Sequence, residues 1–164
     1  MTTTIFIERS LRHIPANGIL INEIANSVFG SVEQSAFSEE FIPVRCRVPN
    51  PKSEHFANFL LNSPRLLWAI QYNSTTVGFI LIGDIPHRNA IGISINSEYS
   101  SKGIALEAFN QIKSHPEICF PLFGYTSIRN INAQKFMERI GFKRELENIV
   151  FCGENSYKYR FNLE

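Results

Sequence analysis

Cysteine is scarce in this chain of 164 residues: Cys46, Cys119 and Cys152 are odd in number and far apart. That suits buried thiols in a reducing cytoplasm better than a disulfide framework. The same spacing gives no metal site, and His13 and His55 lack acidic or cysteine neighbours at ligand spacing. An excess of charge of either sign is lacking too. With 16 basic and 15 acidic residues and a formal net charge of +1, no global field recruits nucleic acid or an anionic membrane. No apolar run approaches a membrane span, and the polar start MTTT is not a secretory signal. Internal repeats and low-complexity linkers are absent. What is present is 44% hydrophobic content with fourteen phenylalanines and one tryptophan, enough for one core. One domain over residues 1–164 is expected, as a monomer or homodimer.

The most informative stretch is Ile91 to Phe109, IGISINSEYSSKGIALEAF. Ile91, Ile93 and Ile95 alternate with Gly92, Ser94 and Asn96, the period of a strand. Ile104, Ala105, Ala108, Phe109 and Ile112 recur on one helical face. Between them Ser100, Ser101, Lys102 and Gly103 put small side chains where the N–H groups of a helix start would otherwise be shielded. Exposed amides there, helped by the helix dipole, hold a phosphate or pyrophosphate. A strand, a glycine turn and a helix also occur wherever chains must turn. A second segment narrows the reading: in Asn130 to Phe142, NINAQKFMERIGF, the residues Ala133, Phe136, Met137 and Ile140 form a helical stripe closed by Gly141.

In this order and spacing the two segments resemble the GNAT superfamily of N-acetyltransferases, which transfer acetyl from acetyl-coenzyme A to an amine. The superfamily's pyrophosphate loop reads Arg/Gln-x-x-Gly-x-Gly/Ala. Here Ser100-Ser101-Lys102-Gly103-Ile104-Ala105 keeps both small positions and loses the first. Glu98-Tyr99, Lys102-Gly103, Ala105 and Glu107-Ala108 look most like the branch that acetylates ribosomal-protein N-termini, as do Asn130, Ala133, Gly141 and Phe142. The resemblance covers roughly Pro64 to Glu164.

Along the chain, Ile5 to Ile7 reads as a first strand, Leu20 to Val32 as a helix, and Ser53 to Leu61 as another ending before Pro64. Strands follow at Leu67 to Tyr72 and Val77 to Ile82 around an Asn73-Ser74-Thr75 turn. Next come the Ile91 strand, the Gly103 helix, a strand at Leu122 to Ile128, the Asn132 helix, and strands at Lys143 to Phe151 and Tyr157 to Phe161. The order implies an α/β (mixed α+β) fold, a central mixed, mostly antiparallel sheet flanked by helices. The resemblance implies that the strands at Ile91 to Asn96 and Leu122 to Ile128 splay, and that acetyl-CoA lies in the gap as co-substrate, with no metal. Ser94, Ile95 and Asn96 would then face the pantetheine amides. Ser101, Lys102, Gly103, Ile104 and Ala105 would hold the pyrophosphate, with Asn130, Ala133 and Phe136 on the second helix.

Amide transfer needs a neutral, positioned amine and help for the leaving thiolate. Many members place a Glu at the start of the strand before the loop and a Tyr inside the second helix; here these are Ala90 and Met137. The substitutes are His87, just upstream of the strand, Glu98 beside the loop, and Ser127 with Tyr125 and Thr126 on the later strand. A surface histidine, a turn-forming glutamate and packed strand residues are the rival readings. Asn130 either binds the cofactor or only caps its helix, and His115 and Glu117, around Pro116, mark a helix exit. Residues 37–56, with Glu39, Glu40 and Glu54, correspond to the family's acceptor side. An N-acetyltransferase acting on a protein N-terminus or small-molecule amine is expected; the alternative is a GNAT-fold acyl-CoA-binding or protein-interaction module without transfer. A nucleic-acid module is disfavoured, since no basic-aromatic stripe exists.

Overall fold

The computed structural model describes Thr2–Thr4 and residues 65–83, 88–99, 102–151 and 154–163. Strand β1 (Thr2–Thr4) pairs antiparallel with β2 (Leu66–Tyr72), β2 with β3 (Thr75–Ile82), and β3 with β4 (Ile91–Ile95). A short 3-10 turn, Ser97–Tyr99, leads to helix α1 (Ile104–Ile112). Then follow β5 (Leu122–Ser127), helix α2 (Ile131–Arg139), β6 (Lys143–Phe151) and β7 (Glu154–Phe161). They make a four-stranded sheet in the order β1-β2-β3-β4 and a three-stranded one in the order β5-β7-β6.

The hairpin between β2 and β3 turns on Asn73 and Ser74, with φ of 51° and 67°. That is the left-handed pair a two-residue turn needs to match strand twist; Thr75 already belongs to β3. One face of the first sheet carries Leu66, Trp68, Ile70, Ile80, Ile82 and Ile91, all buried in one cluster with Ile104, Ala108, Phe109 and Ile112 of α1. Leu67, Ala69 and Phe79 alternate with them and are buried as well. The cluster runs on under the second sheet through Leu122, Met137, Ile140, Phe142 and Tyr159. Phe109 joins the two halves, its ring 5.7 Å from Phe142 and 5.2 Å from Phe161. Trp68 is 1% exposed and meets His115 edge-on at 5.4 Å, which holds the exit of α1 against β2.

One expectation changes. The described residues also include a strand at Thr2–Thr4, where three β-branched residues favour extended backbone despite their polarity. Ile5 to Ile7 and the helices expected at Leu20 to Val32 and Ser53 to Leu61 lie outside the described residues, as do Cys46 and Cys152. Cys119, expected buried, is an exposed free thiol in the loop after α1.

Candidate active site

Among the described residues the two sheets meet at one point. Ala90 and Phe123 form a parallel bridge, and the Phe123 N–H donates to the Asn89 carbonyl at 3.0 Å. Past it β4 and β5 form no ladder with each other. In an antiparallel pair alternate residues turn their backbone groups to opposite sides. The Asn96 N–H donates to Val77 O at 2.7 Å and the Ala90 carbonyl accepts from Gly83 N–H at 2.8 Å, so the even residues of β4 face β3. Ile93 and Ile95 therefore turn their N–H and C=O toward β5. On β5 the Ile128 N–H goes to Asn155 O across the sheet, so Phe123 and Tyr125 turn theirs toward β4, while the Ser127 carbonyl accepts from Asn130 N–H at 3.0 Å in the turn to α2. The missing ladder leaves a gap lined by main chain from both strands.

Of the expected contacts, Ile95 presents its backbone to this gap, whereas Ser94 pairs with Phe79. Asn96 shapes the next turn: its Oδ1 accepts from Glu98 N–H at 3.0 Å and its carbonyl from Tyr99 N–H at 2.9 Å. Glu98 lies on that turn.

Gly103 precedes α1 with φ 76° and ψ 8°, and no side chain among the described residues caps the helix. The bond from Glu107 N–H to Gly103 O, 3.1 Å, closes the first turn. The amides of Ile104, Ala105 and Leu106 come before it and have no intrahelical acceptor. A left-handed residue followed by helical ones curls successive N–H groups into a concave nest for an anion. Among the described residues a Cβ at Gly103 would meet nothing within 4 Å. Lys102 and Gly103 are exposed, Ala105 is half-buried and Ile104 is buried. Ser101 and His87 lie outside the described residues.

Asn130 caps α2, its Oδ1 accepting from Ala133 N–H at 3.0 Å. Gln134 Nε2 donates to the carbonyls of Ser127 and Ile128, both at 3.1 Å, and Ser127 Oγ accepts from Arg129 N–H at 3.1 Å. Phe136 packs against the core cluster, half-buried. Ala90 is 4% exposed and Met137 7%. A Cβ on Gly124 would collide with Met137 Cε, so the thioether fills the notch that the glycine leaves in β5. Both positions serve packing, and neither offers a group that moves a proton.

A further cluster was not among the sequence candidates. Lys158 Nζ lies 3.5 Å from both Glu145 Oε1 and Glu147 Oε1 and 4.6 Å from the Phe123 ring centroid. Its register partner on β5 is Tyr125, whose hydroxyl is pushed up to about 12 by burial first and then by Glu145 and Glu147. Glu145-Leu146-Glu147 reads as plain alternation in the sequence. The register shifts between Arg144 and Asn148, opposite Lys158, and both carboxylates reach that lysine. Among the described residues no group of His, Cys, Asp and Glu is placed to hold a metal, and no helix is long and apolar enough to cross a membrane.

Comparison with known proteins bears on this geometry. No curated protein sequence matches the chain. An acetyltransferase from Thermus thermophilus shares the fold with a TM-score of 0.62 at 12% identity, over 99% of this chain and 97% of that one. An acetyltransferase of the GNAT family from Streptococcus pneumoniae gives 0.62 at 15% identity over 98% of each. The microcin C7 self-immunity acetyltransferase MccE, solved with acetyl-CoA and AMP, gives 0.56 at 16% identity over 99% of this chain and 92% of that one. The sequence model of the acetyltransferase (GNAT) domain matches residues 28–143, which begins well upstream of the Pro64 boundary read from motifs. With most of its length inside that match, the chain belongs to the GNAT acetyltransferase family and is an acetyl-CoA-dependent acetyltransferase.

Proposed function

We propose that the protein transfers acetyl from acetyl-CoA to the primary amine of a protein N-terminus or of a small molecule, as one domain spanning residues 1–164 and working in the cytoplasm. The protein-N-terminus reading follows the likeness of Glu98-Tyr99, Lys102-Gly103 and Glu107-Ala108 to the ribosomal-protein branch. The observation that carries the proposal is the start of α1, uncapped among the described residues, beside the unladdered gap between β4 and β5. A negatively charged pyrophosphate fits three amides without intrahelical acceptors after a left-handed glycine. In this assignment Lys102 and the amides of Ile104, Ala105 and Leu106 hold it. Ile93 and Ile95 offer main-chain donors and acceptors to an amide-bearing arm, and Asn130, Ala133 and Phe136 border it from α2.

Acetyl-CoA supplies an activated acyl thioester; the chain supplies position. Buried Ala90 and Met137 give no proton carrier, so the rate rests on holding amine and carbonyl together and on main-chain N–H groups near the carbonyl oxygen. Tyr125 stays protonated at neutral pH and can act as a donor. His87, Glu98 and Ser127 are the side chains we assign to assist, each with a modest share. The test is release of free thiol on incubation with acetyl-CoA and a panel of N-terminal peptides and small amines, with acetylated product read by mass. Acetyl-CoA binding without transfer to any amine would favour a binding module, and no binding at all would overturn the proposal.

A further inference from the structure

The outer edge of β6 carries side chains that the fold itself does not use. β6 ends its sheet, with β7 as its one neighbouring strand among the described residues. Its register with β7 shifts between Arg144 and Asn148. Within that stretch Leu146 is 103% exposed, more than any other large hydrophobic side chain among the described residues. Leu163, 51% exposed, and half-buried Phe161 line the same open cleft as Leu146. A lone apolar side chain in water is ordinary, but three sharing one cleft at a sheet edge mark a contact surface.

Charge says which partner fits. Lys143 and Arg144 precede the leucine, Glu147 follows it, and all three are exposed. The Glu147 side chain is 67% exposed despite its ion pair with Lys158, and Arg144 stays exposed although it lies over the Tyr157 ring. A wholly acidic or wholly basic partner would be repelled by one half of this edge. A second copy of the chain, set antiparallel, is attracted by both halves. The basic residues before Leu146 in one copy then face Glu147 after it in the other, and twofold symmetry repeats the pair. The irregular register interrupts the row of main-chain groups that a ladder would need, so side chains carry the contact.

We infer that the protein is a homodimer through the β6 edge, with Leu146 of each copy seated in the cleft beside Phe161 and Leu163 of the other, and Arg144 paired with Glu147 across the twofold axis. The inference is independent of the cofactor site. It makes the pairing reciprocal, and that can be read directly.

The experiment is sedimentation equilibrium with light scattering on the full chain across a dilution series, with circular dichroism on every variant. Wild type should show twice the 18.7 kDa of one chain. Leu146→Asp, Arg144→Glu and Glu147→Arg should each fold, because each change falls on an exposed side chain, and should each sediment as a monomer. Arg144→Glu leaves positions 144 and 147 both acidic, and Glu147→Arg leaves them both basic. An equimolar mixture of these two variants should therefore recover the doubled mass as a heterodimer. A monomeric wild type overturns the inference and leaves the edge to another partner. A Leu146→Asp protein that stays dimeric places the contact on a different face and overturns it as well. So does a mixture that remains monomeric while wild type dimerises, since the antiparallel pairing would then be wrong.

Discussion

Tyr125 carries the clearest electrostatic signature in the described structure. Burial, then the carboxylates of Glu145 and Glu147, oppose its ionisation and push it from 10.0 up to about 12. The sign follows from linkage: the unfolded chain loses this proton at lower pH than the native one. The contribution to stability is complete below pH 10.0 and declines as pH rises toward about 12. Urea unfolding of wild type and Tyr125→Phe across that window should show the wild type losing stability faster; parallel curves would contradict the shift. Glu145→Gln with Glu147→Gln should lower the tyrosine's pKa, read by ultraviolet titration. The side chains offered for proton transfer are expected to matter less. His87→Ala, Glu98→Ala and Ser127→Ala should each reduce turnover by far less than the roughly 10² to 10⁴ that follows loss of a true general base. A loss in that range from one of them would identify the base.

At the scale of elements, two positions tie stability to the site. Asn130→Ala removes the cap on Ala133 N–H and should cost about 1 kcal/mol in denaturant unfolding; Asn130→Asp, which keeps an acceptor, should not. Gly78 faces Ile95 across β3 and β4, and a Cβ there would strike the Ser94 carbonyl oxygen and come within 3.0 Å of Ile95 Cα. Backbone cannot swing aside as a side-chain tip does. Gly78→Ala should therefore destabilise by about 1–3 kcal/mol and weaken acetyl-CoA binding by displacing β4. The corner at Gly103 and the Asn130 cap were legible in the sequence because their causes are local: a left-handed glycine, a side-chain acceptor, a helical stripe. The hairpin and the closing strand Lys143–Phe151 were legible for the same reason. The Ala90–Phe123 bridge, the facing of Ile93 rather than Ser94 into the gap, and the pairing of Lys158 with two glutamates depend on register between distant segments. Periodicity gives a residue's face, never its partner, and the exposure of Cys119 was hidden for that reason.

Over the whole molecule, a net charge of +1 provides no long-range pull on an anionic cofactor or a cationic acceptor. Recognition must come from short-range features, and the decisive one is proposed at the start of α1. Glu39 and Glu40 lie outside the described residues; as a proposed acceptor side, Glu39→Gln with Glu40→Gln should raise the acceptor KM and leave acetyl-CoA affinity unchanged. Substitution of Gly103, whose φ of 76° the nest needs, tests pyrophosphate binding at this corner. Asparagine and aspartate both tolerate the left-handed region and have nearly the same shape, so Gly103→Asn and Gly103→Asp differ in one negative charge. Acetyl-CoA binding should be measured calorimetrically on both, with circular dichroism confirming the fold. Gly103→Asp should abolish binding, while Gly103→Asn should retain a weakened affinity. Equal and undiminished affinity in the two folded variants would contradict pyrophosphate binding there.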